Sequence, residues 1–254
     1  MTQPALELDP AAAYAAHGFA RLPALLDPDE VAALRALLEA APLPEPGPYG
    51  LLVHQVRELA PALAPWLERE RLAAPTRAVL GLEAVVLFQD HYLSKPPGAG
   101  RLSWHQDHAY WPLDEVALGG AMMWLTLDDA DEENGCLSFV PGSHAWGPRQ
   151  PASFVPGADL PQKPGLLPID AAGREVVSAP CAAGDAILNH PLVWHASPPN
   201  RSRRPRRALG LTWVPPGARF DPDHAPHPWN FRPDLEKGAP LPASFPRFAA
   251  RERA

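Results

Sequence analysis

The sequence predicts a mainly β protein in which short antiparallel strands form two facing sheets, with α-helices flanking them at the N-terminus. Three observations favour this fold class. Beyond about residue 82 the apolar residues come in short runs that suit buried strands, rather than at helical spacing. Glycine and many of the 35 prolines punctuate these runs and disfavour long helices. Because no helical pattern alternates with the strands, an antiparallel double-stranded β-helix of the jelly-roll or cupin type is favoured over a parallel sheet.

Helices are predicted in the first 82 residues. Asp27 is suited to cap a helix, because a proline follows at its first position and Glu30 stands where a capping box needs it. Further helices are predicted over residues 61–70 and 75–80, so residues 1–82 are expected to form a helical flank of the sheet domain. Two histidines of this flank are expected at the surface or in packing contacts: His17 and His54.

The sheet core is predicted over residues 83–215. Asn134-Gly135 lies between two apolar runs, and because this pair readily adopts positive φ at both positions it predicts a tight hairpin. The proline-rich insertion at 148–168 and the C-terminal segment at 216–254 are predicted to be loops of one domain that comprises the whole chain. Strands are predicted over six segments rich in apolar, β-branched or aromatic residues: 83–93, 121–127, 136–140, 175–177, 186–189 and 208–214.

Composition narrows the possible partners. The chain of 254 residues carries a net charge of −7, which argues against nucleic acid as the main partner. Its two cysteines, Cys136 and Cys181, are too few for a disulfide scaffold or a thiolate metal site and fit a cytoplasmic protein. No apolar run reaches the roughly 18 residues of a membrane helix and no signal peptide is visible, so no membrane association is expected. A monomer and a homodimer both remain open.

A candidate metal site is formed by His105, Asp107 and His195. Two histidines and one carboxylate, with no cysteine, are the ligands of non-haem Fe(II) sites that leave coordination positions open. On a strand, residues i and i+2 face the same side, so His105 and Asp107 are predicted to bind one ion from one face of a strand. Spacing alone leaves two alternatives open, because a histidine and an aspartate can simply share a hydrogen bond and Zn²⁺ uses similar ligands.

Further motifs accompany this triad along the chain. Their order resembles that of the phytanoyl-CoA dioxygenase family of Fe(II)/2-oxoglutarate oxygenases. The resemblance covers about residues 84–215 and is far more specific than a lone His-x-Asp. It is carried by five motifs: LSKPPG from Leu93; WHQD from Trp104; NGCL from Asn134 with PGSH from Pro141; GD from Gly184 leading to His190 and to HAS from His195; and NRS from Asn200 with Arg206.

The resemblance implies an enzyme, a dioxygenase that uses Fe(II), 2-oxoglutarate and O2. It would hydroxylate an unactivated C–H bond of a small organic molecule while 2-oxoglutarate loses carbon dioxide to give succinate. His105, Asp107 and His195 would be the catalytic iron ligands. Because halogenating relatives lack the carboxylate, Asp107 favours hydroxylation or a related oxidation such as desaturation. The alternative is a non-catalytic cupin-type protein that binds a small ligand or a metal.

The resemblance also implies four residues that bind 2-oxoglutarate. Arg206 stands eleven residues after His195, where the family has an arginine for the far carboxylate of this cosubstrate. A planar guanidinium matches a carboxylate in shape and charge. Ser197 matches the hydroxyl donor to the same region, and Trp124 and His91 match positions that line the pocket. A structural metal site needs no such arginine, so Arg206 and Ser197 argue against the binding-protein alternative.

His190 is a rival to His195 as the distal metal ligand. In relatives the ligand is the histidine followed by x-Ser, which favours His195 and leaves His190 a packing or hydrogen-bonding role. Lys95 is expected either to reach an anionic substrate group or to lie on the surface. Four further histidines are expected outside the metal site, in turns, in exposed loops or facing away: His108, His144, His224 and His227. For His224 and His227, contact with the substrate is the alternative.

Overall fold

The computed structural model describes residues 8–153, 163–225 and 235–250. Within these ranges eleven strands form two sheets. No helix in the same ranges is long and apolar enough to cross a bilayer. The strands are β1 (Phe19–Leu22), β2 (Leu51–His54), β3 (Ala84–Lys95), β4 (Leu102–His105), β5 (Ala121–Thr126), β6 (Leu137–Phe139), β7 (Val177–Ala179), β8 (Ala186–Asn189), β9 (His195–Ser197), β10 (Arg206–Val214) and β11 (Arg247–Ala249).

The two sheets pack as a jelly roll. The larger sheet has the strand order β1-β8-β5-β10-β3-β11, with β2 also paired to β3, and the smaller has the order β4-β9-β6-β7. The paired strands are antiparallel. One apolar cluster joins the sheets, with Trp124 and Ile187 from the larger one and Phe139 from the smaller. The predicted fold class, a double-stranded β-helix with flanking helices, is confirmed.

Strand β5 shows how the larger sheet serves two cores. Met123 and Leu125 belong to the cluster that packs against the N-terminal helices. Met122 and Trp124, which alternate with them, belong to the cluster between the sheets. Successive side chains on a strand point to opposite faces, so this alternation follows from the backbone. Trp124 is thereby directed into the interior of the jelly roll.

In the part of the chain that the structure describes, five α-helices flank the larger sheet. The capping box at the second helix is confirmed, since Asp27 Oδ1 accepts from the Glu30 amide at 2.9 Å and Glu30 Oε2 accepts from the Asp27 amide at 3.0 Å. The predicted helix over 61–70 is divided into a 3₁₀ turn, a short α-helix and the start of the next helix. The helices are α1 (Pro10–His17), α2 (Pro28–Glu39), α3 (Val56–Leu59), α4 (Ala64–Leu67) and α5 (Glu70–Leu80).

Helix α5 corrects a predicted boundary. The sequence places the start of this helix at Pro75, but the helix begins at Glu70 and Pro75 lies inside it. A proline inside a helix removes one backbone hydrogen bond, which disfavours the helix. Leu72, Ala73 and Thr76 are buried on either side of the proline, and their packing offsets that cost.

The N-terminal flank contains two strands that the sequence analysis did not predict. Strand β1 pairs with β8, and strand β2 pairs with β3 along Leu51–His54. Neither strand exceeds four residues. Such short runs give little alternating pattern, and both depend on partners distant along the chain. The flank therefore extends the larger sheet as well as covering it.

The prediction of a hairpin at Asn134-Gly135 is wrong. The strands on its two sides, β5 and β6, belong to different sheets. Gly135 has a φ of +86°, but Asn134 is not among the residues with positive φ. The Asn134 side chain instead holds an irregular turn, because its Nδ2 donates to Asp129 O at 2.7 Å and its Oδ1 accepts from the Asp131 amide at 2.8 Å. The pair thus marks a crossing between the sheets.

Candidate metal and cosubstrate site

The three predicted metal ligands converge. His105 ends β4 and His195 begins β9, and these residues are direct partners in the smaller sheet with ring centroids 4.0 Å apart. Asp107 Oδ1 lies 3.8 Å from His105 Nε2 and 3.5 Å from His195 Nε2. One ligand atom from each residue lies within 4.8 Å of the other two. Two imidazole nitrogens and one carboxylate oxygen can therefore bind a single ion.

The backbone conformation that places Asp107 here differs from the predicted one. Strand β4 ends at His105, and Asp107 begins a 3₁₀ turn, so the two residues do not share the face of a strand. The intervening Gln106 is buried, and its Nε2 donates to Leu192 O at 2.7 Å and to Gly147 O at 3.0 Å. These bonds hold the chain outside the ladder and turn Asp107 back toward the histidines.

The main chain fixes the tautomer of both histidines. His105 Nδ1 lies 2.7 Å from Ser103 O, and His195 Nδ1 lies 3.1 Å from Val193 O. A carbonyl only accepts hydrogen bonds, so each Nδ1 carries the proton and each Nε2 keeps its lone pair for a metal. Burial, together with the nearby His195, holds the pKa of His105 well below its usual range, which keeps this imidazole neutral.

Asn189 orients the carboxylate ligand and was missed by the sequence analysis. It is fully buried at the end of β8, and its Nδ2 donates to Asp107 Oδ2 at 2.7 Å. That bond leaves Oδ1 of Asp107 directed at the histidines. The only available signal was the position of Asn189 at the end of a predicted buried strand, where a polar side chain needs a partner.

A cavity of about 790 Å³, part of it open to solvent, lies beside the three ligands. Most of its wall is apolar, formed in part by Leu93, Leu102 and Trp111. The four residues predicted to bind 2-oxoglutarate also line it, so the structure brings them together with the metal ligands: Arg206, Ser197, Trp124 and His91.

Arg206 places a positive charge in the lining of this cavity. Its side chain is buried, and its Cζ lies 5.0 Å from the centroid of the Trp124 ring. Burial lowers the pKa of Arg206 to about 10. Its Nε has no hydrogen-bond partner, and within the described ranges no carboxylate forms an ion pair with it. An unpaired buried guanidinium is costly, so a ligand carboxylate is its natural partner.

Ser197 and Lys95 form a hydrogen-bonded chain behind Arg206. Ser197 Oγ donates to Gly135 O at 2.8 Å and accepts from Lys95 Nζ at 2.9 Å. Lys95 is only 1% exposed, so the surface position, one of its two expected positions, is wrong, and its Nζ also donates to Ser197 O at 3.2 Å and to Pro198 O. The assignment of Ser197 as a donor to 2-oxoglutarate stays a prediction.

A cluster of polar residues lines the cavity away from Arg206. The His54 and His91 rings meet edge to face with centroids 4.5 Å apart, and Gln89 Nε2 lies 3.1 Å from His54 Nδ1. Burial lowers the pKa of His91 to about 4, so its ring is neutral. His54 thus lines the site, which the sequence analysis did not predict because strand β2 was not recognised. Thr212 Oγ1 also lies in this region of the wall, buried and without a partner.

The remaining histidines that the structure describes lie outside the metal centre. His190 Nδ1 accepts from the Leu192 amide at 3.0 Å, and its ring packs 5.0 Å from that of His144, which agrees with a packing role. His108 lies on the 3₁₀ turn after Gln106, and its ring packs 4.1 Å from that of His224. His224 is therefore partly buried and not exposed as expected. His227 lies outside the described residues.

Comparison with known proteins identifies the family. The family model described as Phytanoyl-CoA dioxygenase (PhyH) matches residues 14–208. The chain belongs to the phytanoyl-CoA dioxygenase family. The resemblance found in the ordered motifs is confirmed, and the matched region begins well before residue 84, where the sequence analysis placed its start. The family match therefore includes most of the N-terminal flank.

Relatives and neighbours of this family member agree with the assignment. Phytanoyl-CoA dioxygenase domain-containing protein 1 of Bos taurus is 36% identical over 179 residues, which cover 64% of this chain and 58% of the relative. The α-ketoglutarate-dependent carbocyclase SnoK shares the fold, with a TM-score of 0.77, 24% identity, and coverage of 97% of this chain and 96% of its own. The epimerase SnoN, solved with Fe³⁺, α-ketoglutarate and nogalamycin RO, gives a TM-score of 0.74 and 25% identity, covering 94% and 96%.

Proposed function

We propose that the protein is an Fe(II)- and 2-oxoglutarate-dependent oxygenase that hydroxylates an unactivated C–H bond of a small organic molecule. One observation carries this proposal. The three metal ligands and the unpaired, buried Arg206 line the same cavity. A metal centre alone needs no buried cation, whereas a cosubstrate with a keto acid at one end and a carboxylate at the other needs both. The cofactor set of the SnoN structure supports the same conclusion.

His105, Asp107 and His195 would hold the ferrous ion. The two imidazoles present lone pairs because their Nδ1 atoms are bonded to main-chain oxygens. Asp107 presents Oδ1 because Asn189 holds Oδ2. These bonds preorganise the ligands, so little side-chain ordering remains when the metal binds. Three protein ligands leave positions for a bidentate keto acid and for O2.

Arg206 would bind the far carboxylate of 2-oxoglutarate. A bidentate pair between guanidinium and carboxylate gives both charge compensation and a fixed direction. The Trp124 ring supports the guanidinium from one side, which limits its rotation. Ser197 and His91 line the same cavity and complete the proposed cosubstrate site.

Iron(II) with 2-oxoglutarate and O2 would supply the oxidising power, and 2-oxoglutarate would be decarboxylated to succinate. The contribution of the chain is placement and exclusion of water. Leu52, Met122 and Trp111 give the cavity apolar walls, which favour a substrate with apolar surface and limit the access of water.

Anaerobic reconstitution tests the proposal. Purified protein given Fe(II) and 2-oxoglutarate should develop a weak visible charge-transfer band, and air with a cognate substrate should then release succinate. The variant Asp107→Ala should lose both signals, because it removes a metal ligand. Asp170→Ala, which changes an exposed carboxylate outside the cavity, is the matched control. Since SnoN is an epimerase, mass spectrometry of the product must show the added oxygen expected for hydroxylation.

The binding-protein alternative makes a different prediction in the same experiment. A cupin that only holds a metal should bind it equally well in Arg206→Ala and should show no charge-transfer band with 2-oxoglutarate. This outcome would remove the oxygenase proposal while leaving the metal site intact.

A further inference from the structure

Two basic side chains face each other inside the jelly roll. Lys95 at the end of β3 and Arg206 at the start of β10 are direct partners in the antiparallel ladder. The two residues are only 1% and 4% exposed. Like charges directly opposite each other on neighbouring strands are destabilising, and burial away from water adds to the cost. Lys95 and Arg206 lie 111 residues apart in the sequence, so only the strand pairing reveals this pair.

Within the described ranges neither Lys95 nor Arg206 forms an ion pair, and the negative charge of Asp128, which is paired with Arg207, acts on Arg206 only at longer range. The adjacent residue of β10 shows the opposite arrangement. Arg207 Nε lies 2.9 Å from Asp128 Oδ2, and its Nη1 lies 2.7 Å from Glu39 Oε1. The fold thus neutralises the arginine that faces outward and leaves the two inner cations without an ion pair. Lys95 Nζ is hydrogen-bonded to Ser197 Oγ, Ser197 O and Pro198 O, so the group that lacks a partner on the cavity side is Arg206, and a bound anion would supply one.

Lys95 differs from Arg206 in how it can act on such an anion. Arg206 and Ser197 line the cavity beside the metal ligands, and Lys95 does not. Lys95 Nζ instead donates to Ser197 Oγ at 2.9 Å, which fixes the hydroxyl between it and Gly135 O. Burial, followed by the charges of Arg206 and Arg101, lowers the pKa of Lys95 to about 7. Its positive charge is therefore held at a cost that a nearby carboxylate would relieve.

We propose that Lys95 is a positioning residue that makes the cavity selective for a 2-oxo acid with a second carboxylate, through its charge behind Arg206 and its hold on Ser197. This inference rests on the proposed function, because it assumes that the far carboxylate lies at Arg206. The proposal gives Lys95, which does not touch the cosubstrate, a role in the recognition of that carboxylate.

The test compares two 2-oxo acids of the same length. 2-Oxopentanoate has the keto acid of 2-oxoglutarate but a methyl group in place of the far carboxylate. The dissociation constants of both are measured anaerobically on the Fe(II) protein, by titration of the charge-transfer band and by calorimetry. In Lys95→Met, binding of 2-oxoglutarate should weaken by roughly tenfold, the effect of losing a partly screened charge several ångströms away, and 2-oxopentanoate should bind as before.

A matched control and a second variant keep the test decisive. Arg101→Met removes an exposed positive charge that also acts on Lys95, and it should alter the preference by less than about twofold because solvent screens it. If Lys95→Met does not fold, Lys95→Gln is measured by the same criterion. Equal weakening of both acids, or no change in either, would overturn the role of Lys95. Absence of the band in the wild-type protein would instead overturn the proposed function.

Discussion

The two sides of the cavity are built differently. The basic side, formed by Ser197 and Arg206 with Lys95 behind them, lies on paired strands, so the sheet ladders fix its side chains. The part of the wall at Tyr110, called the loop wall below, is held by a side chain that bonds to loop backbone. Tyr110 Oη donates to Ala152 O at 2.6 Å and accepts from the Ala152 amide at 2.8 Å. Strands can thus preserve one cosubstrate site across a family, while a loop wall can change with the substrate.

The largest effect is expected on the basic side. Arg206→Ala should weaken 2-oxoglutarate binding by about 100-fold, since truncating one partner of a buried charge pair costs about 2–5 kcal/mol. Calorimetry on the anaerobic Fe(II) protein measures the dissociation constant of 2-oxoglutarate. Arg204→Ala removes a half-exposed arginine paired with Asp131 on the surface and is the control. If Arg206→Ala weakens 2-oxoglutarate binding by less than about threefold, the basic side does not hold the far carboxylate.

The second-largest effect is expected on the affinity of the three ligands for a metal ion. Asn189→Ala removes the donor to Asp107 Oδ2, and loss of such a partner typically weakens metal binding by about 10–100-fold. Titration with Co(II), followed by its visible absorption, measures the affinity. Met122→Ala is the matched control, because Met122 is the cross-strand partner of Asn189 and lines the cavity without contacting Asp107. Equal losses in both variants would point to general loosening of the sheet.

A smaller effect is expected at the loop wall. Tyr110→Phe removes both hydrogen bonds to Ala152, so amide hydrogen exchange around residues 150–152 should accelerate by about fivefold, as for the loss of about 1 kcal/mol. Mass spectrometry of a peptide from this loop measures the rate. Binding of 2-oxoglutarate should stay unchanged in the same variant. A parallel loss of cosubstrate affinity would show that the loop wall and the basic side act together.

The smallest effect is expected on the free energy of unfolding, at Thr212 in the polar region of the cavity wall. Thr212 Oγ1 is buried without a partner, so Thr212→Val should raise the free energy of unfolding by about 1 kcal/mol. Thr126→Val should lower it by about the same amount, because Thr126 Oγ1 donates to Ala182 O at 2.6 Å. Denaturant titration compares the two variants. If Thr212→Val is also destabilised, its hydroxyl has a partner in solution, such as an ordered water.

The identity of the metal ligands was predictable from the sequence, whereas the backbone that places them was not. The triad, its spacing and the ordered motifs were sufficient to predict His105, Asp107 and His195, and the structure brings them together. The backbone under Asp107 was predicted wrongly, because the bonds of Gln106 to Leu192 O and Gly147 O involve residues distant along the chain. Residue type identifies the ligands, and contacts across the fold set their positions.

The same distinction holds for the strands. Long apolar runs such as β3 and β10 were predictable, because their pattern is local to the chain. Short strands such as β1 and β2, and the crossing at Asn134-Gly135, were not, because they depend on which sheet receives them.

The sequence by itself determined the family, the fold class and the residues that we propose as ligands of iron and of a dicarboxylate, since these follow from residue type and order. Only the tertiary structure decided that Asn189 holds Asp107, that His54 lines the cavity, and that Lys95 lies buried opposite Arg206. The physical reason is that burial and partners are set by strand pairing between segments far apart in the chain, and no local pattern carries that information.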